Sequence, residues 1–356
     1  MEVQEGGKII GQGTYGCVFS PPLLCKNKDG LQNGHANRLG KISHVTDITR
    51  EIEAAVNLKG KPFSHFFILP DTASICKPKS MAEQDDKDVN KCEALERFKP
   101  KDMYQYEMKY GGQSIRVMYN QPTVKYPFLK VMDDLLQIGA ALIVNQYIHN
   151  DIHLANILVS DEGIRLIDFG RAFSASNITE KLLDTMWTSY GPEFPFEPPD
   201  MSLMNAVHHN ISIEVCVADI YEKKSSMKHL ESLLGISRSQ QIQELMQFWT
   251  TSTIAQKKDW TRFWKTYWPS VDAWSIGSCL IELLRMRMFS QEFHTGEWEN
   301  HKDIIEGVIK GLLHSSPKKR LDCLEALALF NPTHPLVNGI GAKWLKVRHA
   351  RATSNL

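Results

Sequence analysis

The chain has 356 residues, of which 42% are hydrophobic and 23% charged, so its composition is ordinary for a globular protein with a sizeable core. Its 41 basic residues balance 41 acidic ones, so no overall charge attracts nucleic acid or an anionic membrane. No stretch reaches the ~18 apolar residues that cross a bilayer, and the first residues lack the apolar segment of a signal peptide. We expect a soluble cytoplasmic protein of two domains or lobes, without a nucleic-acid or membrane partner.

The seven cysteines are widely spaced and include no C-x-x-C pair. This pattern fits neither a secreted disulfide framework nor a zinc ribbon. We therefore expect reduced cysteines that pack as small buried hydrophobic residues. Cys25, Cys76 and Cys92 lie in one region of the sequence, and metal binding by these three is the less favoured alternative.

Strand and turn signals dominate the first 110 residues. Residues 8–20 predict a strand, a glycine-rich turn and a second strand, and residues 38–42 predict a short strand after a polar excursion. Apolar residues then recur with helical period between Asp47, the predicted N-cap, and Gly60. The charged residues 77–103 predict a surface loop or short helix, and residues 104–110 predict a strand.

Helical signals dominate the rest of the chain. Residues 128–147 predict an amphipathic helix, and residues 157–167 predict a short hairpin with a turn at 160–163. From Val271 onward the pattern is helical. Strands with one helix, followed mostly by helices, predict an α+β protein with two unequal lobes.

A glycine-rich motif lies between the first two predicted strands. Gly11, Gly13 and Gly16 have the G-x-G-x-x-G spacing that dinucleotide-binding folds also use, but there the loop opens a helix. Here strand-favouring residues follow, so the loop joins two strands. With Val18 the pattern becomes G-x-G-x-x-G-x-V, which is typical of a loop over ATP phosphates, where glycine permits close approach of the backbone.

A second motif brackets the predicted hairpin. Asp151 and Asn156 precede it, and Asp168 follows it at the start of Asp-Phe-Gly. Because antiparallel pairing joins the two ends of a hairpin, Asn156 and Asp168 are expected at the same end. Their oxygens suit Mg²⁺, which takes one or two protein ligands and leaves the rest to phosphates and water. Asp151 can accept a proton on the adjoining loop.

In this combination and order, the motifs resemble the protein kinase family over about residues 8–335. The resemblance implies a small β-rich N-lobe with one helix in residues 1–110, a larger, mostly helical C-lobe in 111–335, and a tail in 336–356. The C-lobe would contain a helical insertion at about 201–270. This insertion, the widened gap after the glycine loop and the Tyr-Gly-Gly-Gln-Ser connector at 110–114 most resemble kinases encoded by large DNA viruses, which would place the protein in the host cytoplasm or the virion. The further residues that match are Lys41, Glu51, Asp272-x-Trp274-Ser275-x-Gly277 and Arg320.

The resemblance implies how ATP would be bound. Lys41 would hold the α- and β-phosphates beneath the glycine loop, with a glutamate of the following helix as its partner. Glu51 is preferred to Glu53, because its helical phase puts it on the apolar face. Met108 and Tyr110 would lie at the gatekeeper and hinge, where backbone groups bind adenine.

The resemblance also implies the catalytic residues. Asp151 would be the base, and Asn156 and Asp168 would bind Mg²⁺. His153 occupies the position at which Ser/Thr kinases have lysine, and an imidazole carries less positive charge at neutral pH. Asn150 replaces the arginine that reads a phosphorylated activation loop, so such control is not expected. The implied activity is ATP- and Mg²⁺-dependent phosphorylation of Ser or Thr in protein substrates.

Other matching residues have structural parts. Asp272 would tie down the catalytic loop, and Arg320 would pair with the carboxylate of an A-P-E-like motif. That carboxylate is either Glu193 or Asp200, and the sequence favours Asp200. Tryptophans in the insertion at 201–270 predict helices packed onto the host lobe, with a partner-binding surface as the alternative. The chain end from Trp344 is predicted to be solvated.

Two other functions remain compatible with these motifs. A pseudokinase that binds ATP or acts as a scaffold is favoured by Asn150 and His153, whereas the complete set of metal and base residues opposes it. A small-molecule phosphotransferase shares the nucleotide lobe, but Asp272 and Arg320 belong to a protein-substrate lobe. The sequence predicts neither the identity of the substrate nor the oligomeric state.

Overall fold

The structure is a computed structural model that describes residues 7–13, 16–26, 38–84, 87–121 and 126–353. Two residues of the glycine loop, Thr14 and Tyr15, and most of the predicted polar excursion lie outside the described residues. The chain divides into two compact units. The first comprises Met1–Gly112 and Ile167–Ala172, and the second comprises Gln113–Leu166 and Phe173–Leu356.

The first unit is built on a five-stranded antiparallel sheet. The strands lie in the order β1 (Lys8–Gly13), β2 (Gly16–Ser20), β3 (Arg38–His44), β5 (Met103–Lys109) and β4 (Asp71–Cys76), and each neighbouring pair is antiparallel. This sheet and the largely helical second unit make the protein α+β, as the sequence predicts. The elements of the first unit are β1 Lys8–Gly13, β2 Gly16–Ser20, β3 Arg38–His44, α1 Val45–Leu58, β4 Asp71–Cys76, α2 Ala94–Arg97 and β5 Met103–Lys109.

Helix α1 begins earlier than its apolar pattern indicates. Its N-cap is His44, whose ring nitrogen Nδ1 accepts a hydrogen bond from the backbone N–H of Thr46 at 3.5 Å. The prediction of Asp47 as the N-cap is therefore wrong. Asp47 lies in the first turn, where its negative charge interacts favourably with the helix dipole. The buried stripe is also narrower than predicted, because Val56 is 68% exposed.

The charged segment 77–103 is not only a surface loop. Its Val89, Cys92 and Ala94 are buried and form one hydrophobic cluster with Cys17 and Phe19 of β2. The apolar residues are too sparse among the charged ones to produce a periodic signal. The segment therefore covers one face of the sheet.

Four of the seven cysteines are paired in the first unit. Disulfides join Cys17 to Cys92 and Cys25 to Cys76, with the Cα atoms of each pair 6.0 Å apart. The expectation of seven reduced cysteines is therefore wrong. The paired cysteines are 75 and 51 positions apart in the sequence, so no local pattern could have predicted the disulfides. Metal binding by Cys25, Cys76 and Cys92 together is also excluded, since Cys25 and Cys76 are bonded to each other and Cys92 is bonded to Cys17. The remaining cysteines are free and buried, as predicted: Cys216, Cys279 and Cys323.

The second unit is mostly helical. Its predicted hairpin forms, with Ile157 paired to Leu166 across β8 and β9. Its strands are β6 Gln113–Ser114, β7 Tyr147–Ile148, β8 Ile157–Ser160, β9 Gly163–Leu166 and β10 Phe173–Ser174. Its helices are α3 Ile115–Tyr119, α4 Phe128–Val144, α5 Glu180–Asp184, α6 Pro199–His208, α7 Ile213–Lys223, α8 Ser225–Leu234, α9 Arg238–Thr251, α10 Thr253–Gln256, α11 Trp260–Tyr267, α12 Pro269–Arg287, α13 Gln291–Phe293, α14 Glu299–Leu312, α15 Cys323–Phe330, α16 Pro335–Asn338 and α17 Ala342–Thr353.

Helix α12 is the central element of this unit. Nearly all its residues from Pro269 to Leu284 are buried, and it packs against α4, α8 and α14. A helix buried on all sides shows little amphipathic periodicity, and in α12 the buried residues include Asp272 and Ser275 among the apolar ones. Within the described ranges, no helix is both long enough and apolar enough to cross a membrane.

Helices α6 to α11 fill the segment that the sequence marks as an insertion. Its tryptophans point inward: Trp249, Trp264 and Trp268 are buried, and Trp264 packs edge-on against Phe173 at 5.5 Å between ring centroids. Trp268 lies 5.6 Å from the ring of Trp344 in the C-terminal helix. The cluster therefore packs the insertion onto the rest of its unit, the favoured expectation.

The C-terminal residues form α17 rather than a solvated end. The indole N–H of Trp344 donates to the carboxylate of Asp322 at 2.8 Å. One turn later, Arg348 forms ion pairs with Asp322 at 3.1 Å and Glu325 at 2.9 Å. The spacing of Trp344 and Arg348 places both on one helix face, a signal that the charged composition of the tail conceals.

Candidate functional site

Three side chains form a row across the sheet of the first unit. Val18 of β2 pairs directly with Lys41 of β3, and Lys41 pairs with Tyr106 of β5. Directly paired residues of antiparallel strands point to the same face. The row therefore places the lysine between an apolar side chain and a phenol.

Lys41 lies between two carboxylates from distant parts of the chain. Its ammonium is 2.7 Å from Glu51 Oε1 on α1 and 3.0 Å from Asp168 Oδ1. Burial opposes the charge of Lys41, but Asp168 and Glu51 outweigh it and raise the pKa of the lysine above its ordinary value. Lys41 is thus a fixed cation in the physiological pH range.

Glu51 is held in an apolar environment. It is 2% exposed, and the hydroxyl of Tyr106 donates a hydrogen bond to its Oε2. Burial, reinforced by the negative charge of Asp168, raises the pKa of Glu51 to about 7, although Lys41 acts in the opposite direction. Glu53 is exposed on the other side of α1. The phase of the helix therefore directs Glu51, and not Glu53, toward Lys41.

The segment that carries Asp168 has a constrained backbone. Asp168 has a φ of +67°, an uncommon conformation for a residue other than glycine. Phe169 is buried and packs edge-on against Phe67, with ring centroids 5.5 Å apart. A Cβ at Gly170 would lie 3.4 Å from both Asp168 Oδ1 and Glu51 Oε1, so the glycine leaves these carboxylates room. The side chain of Asp168 is 41% exposed and hence accessible to a ligand.

The other predicted nucleotide-binding residues are placed differently. A Cβ at Gly16 would clash with the carbonyl oxygen of Ile42 at 2.1 Å, so this glycine serves strand packing. Gly13 is exposed with open space around it, and Gly11 is partly buried beside Val18. These two glycines therefore remain candidates for close backbone approach to a ligand.

Sequence reasoning missed Tyr106, which lies beside the lysine and Glu51. Met108, predicted to be the gatekeeper, is two residues farther along β5 and on the same face. Tyr110 follows the strand and is half exposed. Alternation along the predicted strand could have revealed Tyr106, because it shares a face with Met108.

In the second unit, Asp272 organises the loop that carries Asp151. Its two oxygens accept hydrogen bonds from the backbone N–H groups of His149 at 2.7 Å and Asn150 at 2.9 Å. Burial raises the pKa of Asp272 to about 6, the two N–H donors oppose this shift, and the nearby Asp151 adds to it. Asn150 has a φ of +58°, so this fixed loop holds a second uncommon backbone conformation.

The loop also orients Asn156 and His153. The amide nitrogen of Asn156 donates to the carbonyl of Asp151 at 3.0 Å, which leaves its oxygen Oδ1 as the group that can bind a cation. His153 Nδ1 accepts from the backbone N–H of Ala155 at 3.3 Å. In the neutral ring, the proton is then on Nε2, which is a donor. His153 therefore has a structural role as the cap of this turn, in addition to any role in catalysis.

A buried ion pair fixes the first turn of α6. Arg320 donates to Asp200 at 2.5 Å, and their side chains are 0% and 1% exposed. Glu193, the other carboxylate that the sequence offers, is exposed. The arginine thus pairs with Asp200.

Each unit carries its own set of polar groups. The first holds a fixed cation with an accessible carboxylate, and the second holds a loop with a carboxylate, an oriented amide oxygen and an imidazole donor. Within the described residues, no three His, Cys, Asp or Glu side chains form a group that could hold a metal ion. Models of known protein families and the curated proteins give no match to this chain.

Proposed function

We propose that the protein is an ATP- and Mg²⁺-dependent protein kinase with a two-lobed kinase fold, which phosphorylates Ser or Thr in protein substrates. The observation that carries the proposal is the cluster of Lys41, Glu51 and Asp168. A lysine held by a helix glutamate is suited to the α- and β-phosphates of ATP, and an adjacent exposed aspartate to their metal ion.

The donor set fits Mg²⁺. Asp168 offers a carboxylate, and Asn156 offers an amide oxygen whose orientation is fixed by its bond to Asp151. Mg²⁺ prefers such oxygens and retains ligands from phosphates and water. When bound, the ion would neutralise charge on the transferring phosphoryl group.

The chain's own residues would perform the rest. Asp151 accepts the proton of the substrate hydroxyl, on a loop held rigid by Asp272. The Nε2–H of His153 donates a hydrogen bond to the phosphoryl oxygen or the acceptor. Lys41 positions ATP, with Glu51 and Tyr106 fixing the lysine. Catalysis then rests on positioning and electrostatic stabilisation.

An ATP-binding scaffold is the second candidate. It is favoured by the hydrogen bond that the backbone N–H of Ala155 donates to His153, because this structural role would account for a histidine at position 153 without a role in catalysis. The two functions differ in phosphoryl transfer but share nucleotide binding.

The decisive experiment combines binding and transfer. Thermal melting with and without Mg²⁺-ATP measures binding, which should raise the melting temperature of the folded protein. Transfer from γ-labelled ATP to generic protein substrates is then compared for the wild type, Asp151→Asn and Asp161→Asn. Asp161, on the exposed hairpin turn, is the matched control.

Transfer by the wild type and Asp161→Asn, lost in Asp151→Asn, supports the kinase. Nucleotide binding without transfer supports the scaffold. An unchanged melting temperature at saturating Mg²⁺-ATP overturns both proposals.

A further inference from the structure

A cavity in the second unit adjoins the loop that carries Asp151, and the chemistry proposed above does not use it. Its volume is about 280 Å³, which accommodates a side chain with several waters but is small for a complete organic ligand. Residues 153–155 form one wall, and Pro195 and Phe196 form another. Helix α3, through Arg116, and helices α8 and α12 complete the lining.

The wall at Pro195 and Phe196 is preformed. The carbonyl of Pro195 accepts hydrogen bonds from the indole N–H of Trp274 at 3.0 Å and the hydroxyl of Ser278 at 2.8 Å. The carbonyl of Phe196 accepts from the hydroxyl of Ser275 at 2.7 Å. A ligand entering this cavity therefore loses little affinity to ordering of the protein.

The N-terminus of α8 contributes to the lining through Ser225 and Ser226. The first N–H groups of a helix have no acceptor within the helix, and no side chain caps them here. Ser226 is 1% exposed, and its hydroxyl has no hydrogen-bond partner among the described residues. The ammonium of the preceding Lys224 is directed elsewhere, to the carbonyls of Phe194 and Glu197. The helix end thus offers unused donors and a positive dipole end.

The charged side chains of the cavity add one net positive charge. Glu282 is neutralised by Arg285, which donates to both carboxylate oxygens at 2.7 and 3.2 Å. His229 lies 3.2 Å from Glu282, and burial lowers the pKa of this histidine, so it adds little charge at neutral pH. The guanidinium of Arg116 acts on Glu282 through its charge, but it forms no ion pair or hydrogen bond with another described residue. Arg116 is therefore the cation available to a ligand.

We propose that this cavity binds an anionic side chain of the protein substrate, either an acidic residue or a phosphorylated serine or threonine close to the acceptor hydroxyl. The inference rests on the proposed kinase function, because only a protein substrate would bring such a side chain beside Asp151 and His153. Arg116 and the N–H groups of α8 bind the anion, since both supply donors that a carboxylate or phosphate accepts. Substrates with a basic residue at this position are disfavoured by the same charge.

The test uses short peptides with one serine among alanines. One flanking position at a time is occupied by aspartate, phosphoserine, alanine or lysine. We expect the anionic peptides to exceed the lysine peptide by about tenfold or more in kcat/KM, mainly through KM. A higher kcat/KM for the phosphoserine peptide than for the aspartate peptide would show that the cavity prefers previously phosphorylated substrates. Equal kcat/KM values for the two would show that it prefers acidic sequences.

Two variants locate the effect. Arg116→Gln should remove the preference, whereas Arg287→Gln, on α12 but outside the cavity lining, should retain it. Fluorescence anisotropy of the same labelled peptides without nucleotide measures binding alone. Equal phosphorylation of all four peptide types overturns the cavity proposal and leaves the kinase intact. Arg116-dependent binding of anionic peptides without any phosphoryl transfer overturns the kinase and leaves the cavity as an anion-binding site.

Discussion

Substitution of Glu51 by glutamine tests the electrostatics of the lysine cluster in the ligand-free protein. The pKa of Glu51 rises from its ordinary 4.5 to about 7 on folding. The folded state therefore holds the proton more tightly, so the associated stability is complete below 4.5 and is lost as the pH rises through 7. At about 1.4 kcal/mol per pH unit, this shift amounts to about 3 kcal/mol. Glutamine resembles the protonated form and removes the titration.

Urea unfolding at a series of pH values measures the effect. The free energy of unfolding of the wild type, relative to Glu51→Gln, should fall by up to about 3 kcal/mol between pH 4.5 and 7.5. Glu53→Gln is the control on the exposed face of α1 and should give a difference from wild type that changes little with pH. A pH-independent difference for Glu51→Gln, or equal slopes for both variants, would refute the assignment of a buried, perturbed glutamate beside Lys41. Phosphoryl transfer supplies a second readout, which should fall only in Glu51→Gln.

Three further predictions concern the second unit. Asp200→Asn should lower the free energy of unfolding by about 3–5 kcal/mol, because it leaves Arg320 buried without its counter-charge, whereas Glu193→Gln should be nearly neutral. Asp272→Asn retains only one acceptor for two loop N–H groups, so kcat should fall while the affinity for Mg²⁺-ATP, measured by calorimetry, changes little. His153→Ala should cost about 1 kcal/mol of stability and lower kcat, whereas His153→Asn should restore the cap and the stability without restoring kcat. Recovery of kcat in His153→Asn would show that His153 has no role in phosphoryl transfer.

Local periodicity predicted the features that depend on neighbouring residues. The phase of α1 directs Glu51 inward because residues three and four apart share a helix face. The hairpin at 157–167 follows from two apolar runs around a Ser-Asp-Glu-Gly turn. The sequence did not predict the first residue of α1 correctly, because histidine, the N-cap at position 44, is not among the common N-cap residues.

Contacts between distant segments could not be predicted in this way. The disulfide of Cys17 and Cys92 depends on how segment 87–103 crosses the sheet, which no local pattern encodes. The bond of Tyr106 to Glu51 depends on the register of β3 and β5. The docking of α17 through Trp344 likewise needs the position of α15. In each case, tertiary packing between distant segments determined the outcome.

The two departures from the kinase pattern suit the local backbone of the loop that carries Asp151. Asn150 has a positive φ, and asparagine tolerates this conformation better than most residues because its short side chain avoids the steric cost. His153 accepts a hydrogen bond from the N–H of Ala155, which a lysine, having only donors, could not do. Compared with lysine, histidine lacks the permanent positive charge, but it stabilises the turn and still offers one hydrogen-bond donor. Since Asp151 and Asn156 share this fixed loop, both substitutions are compatible with the proposed kinase as well as with the scaffold.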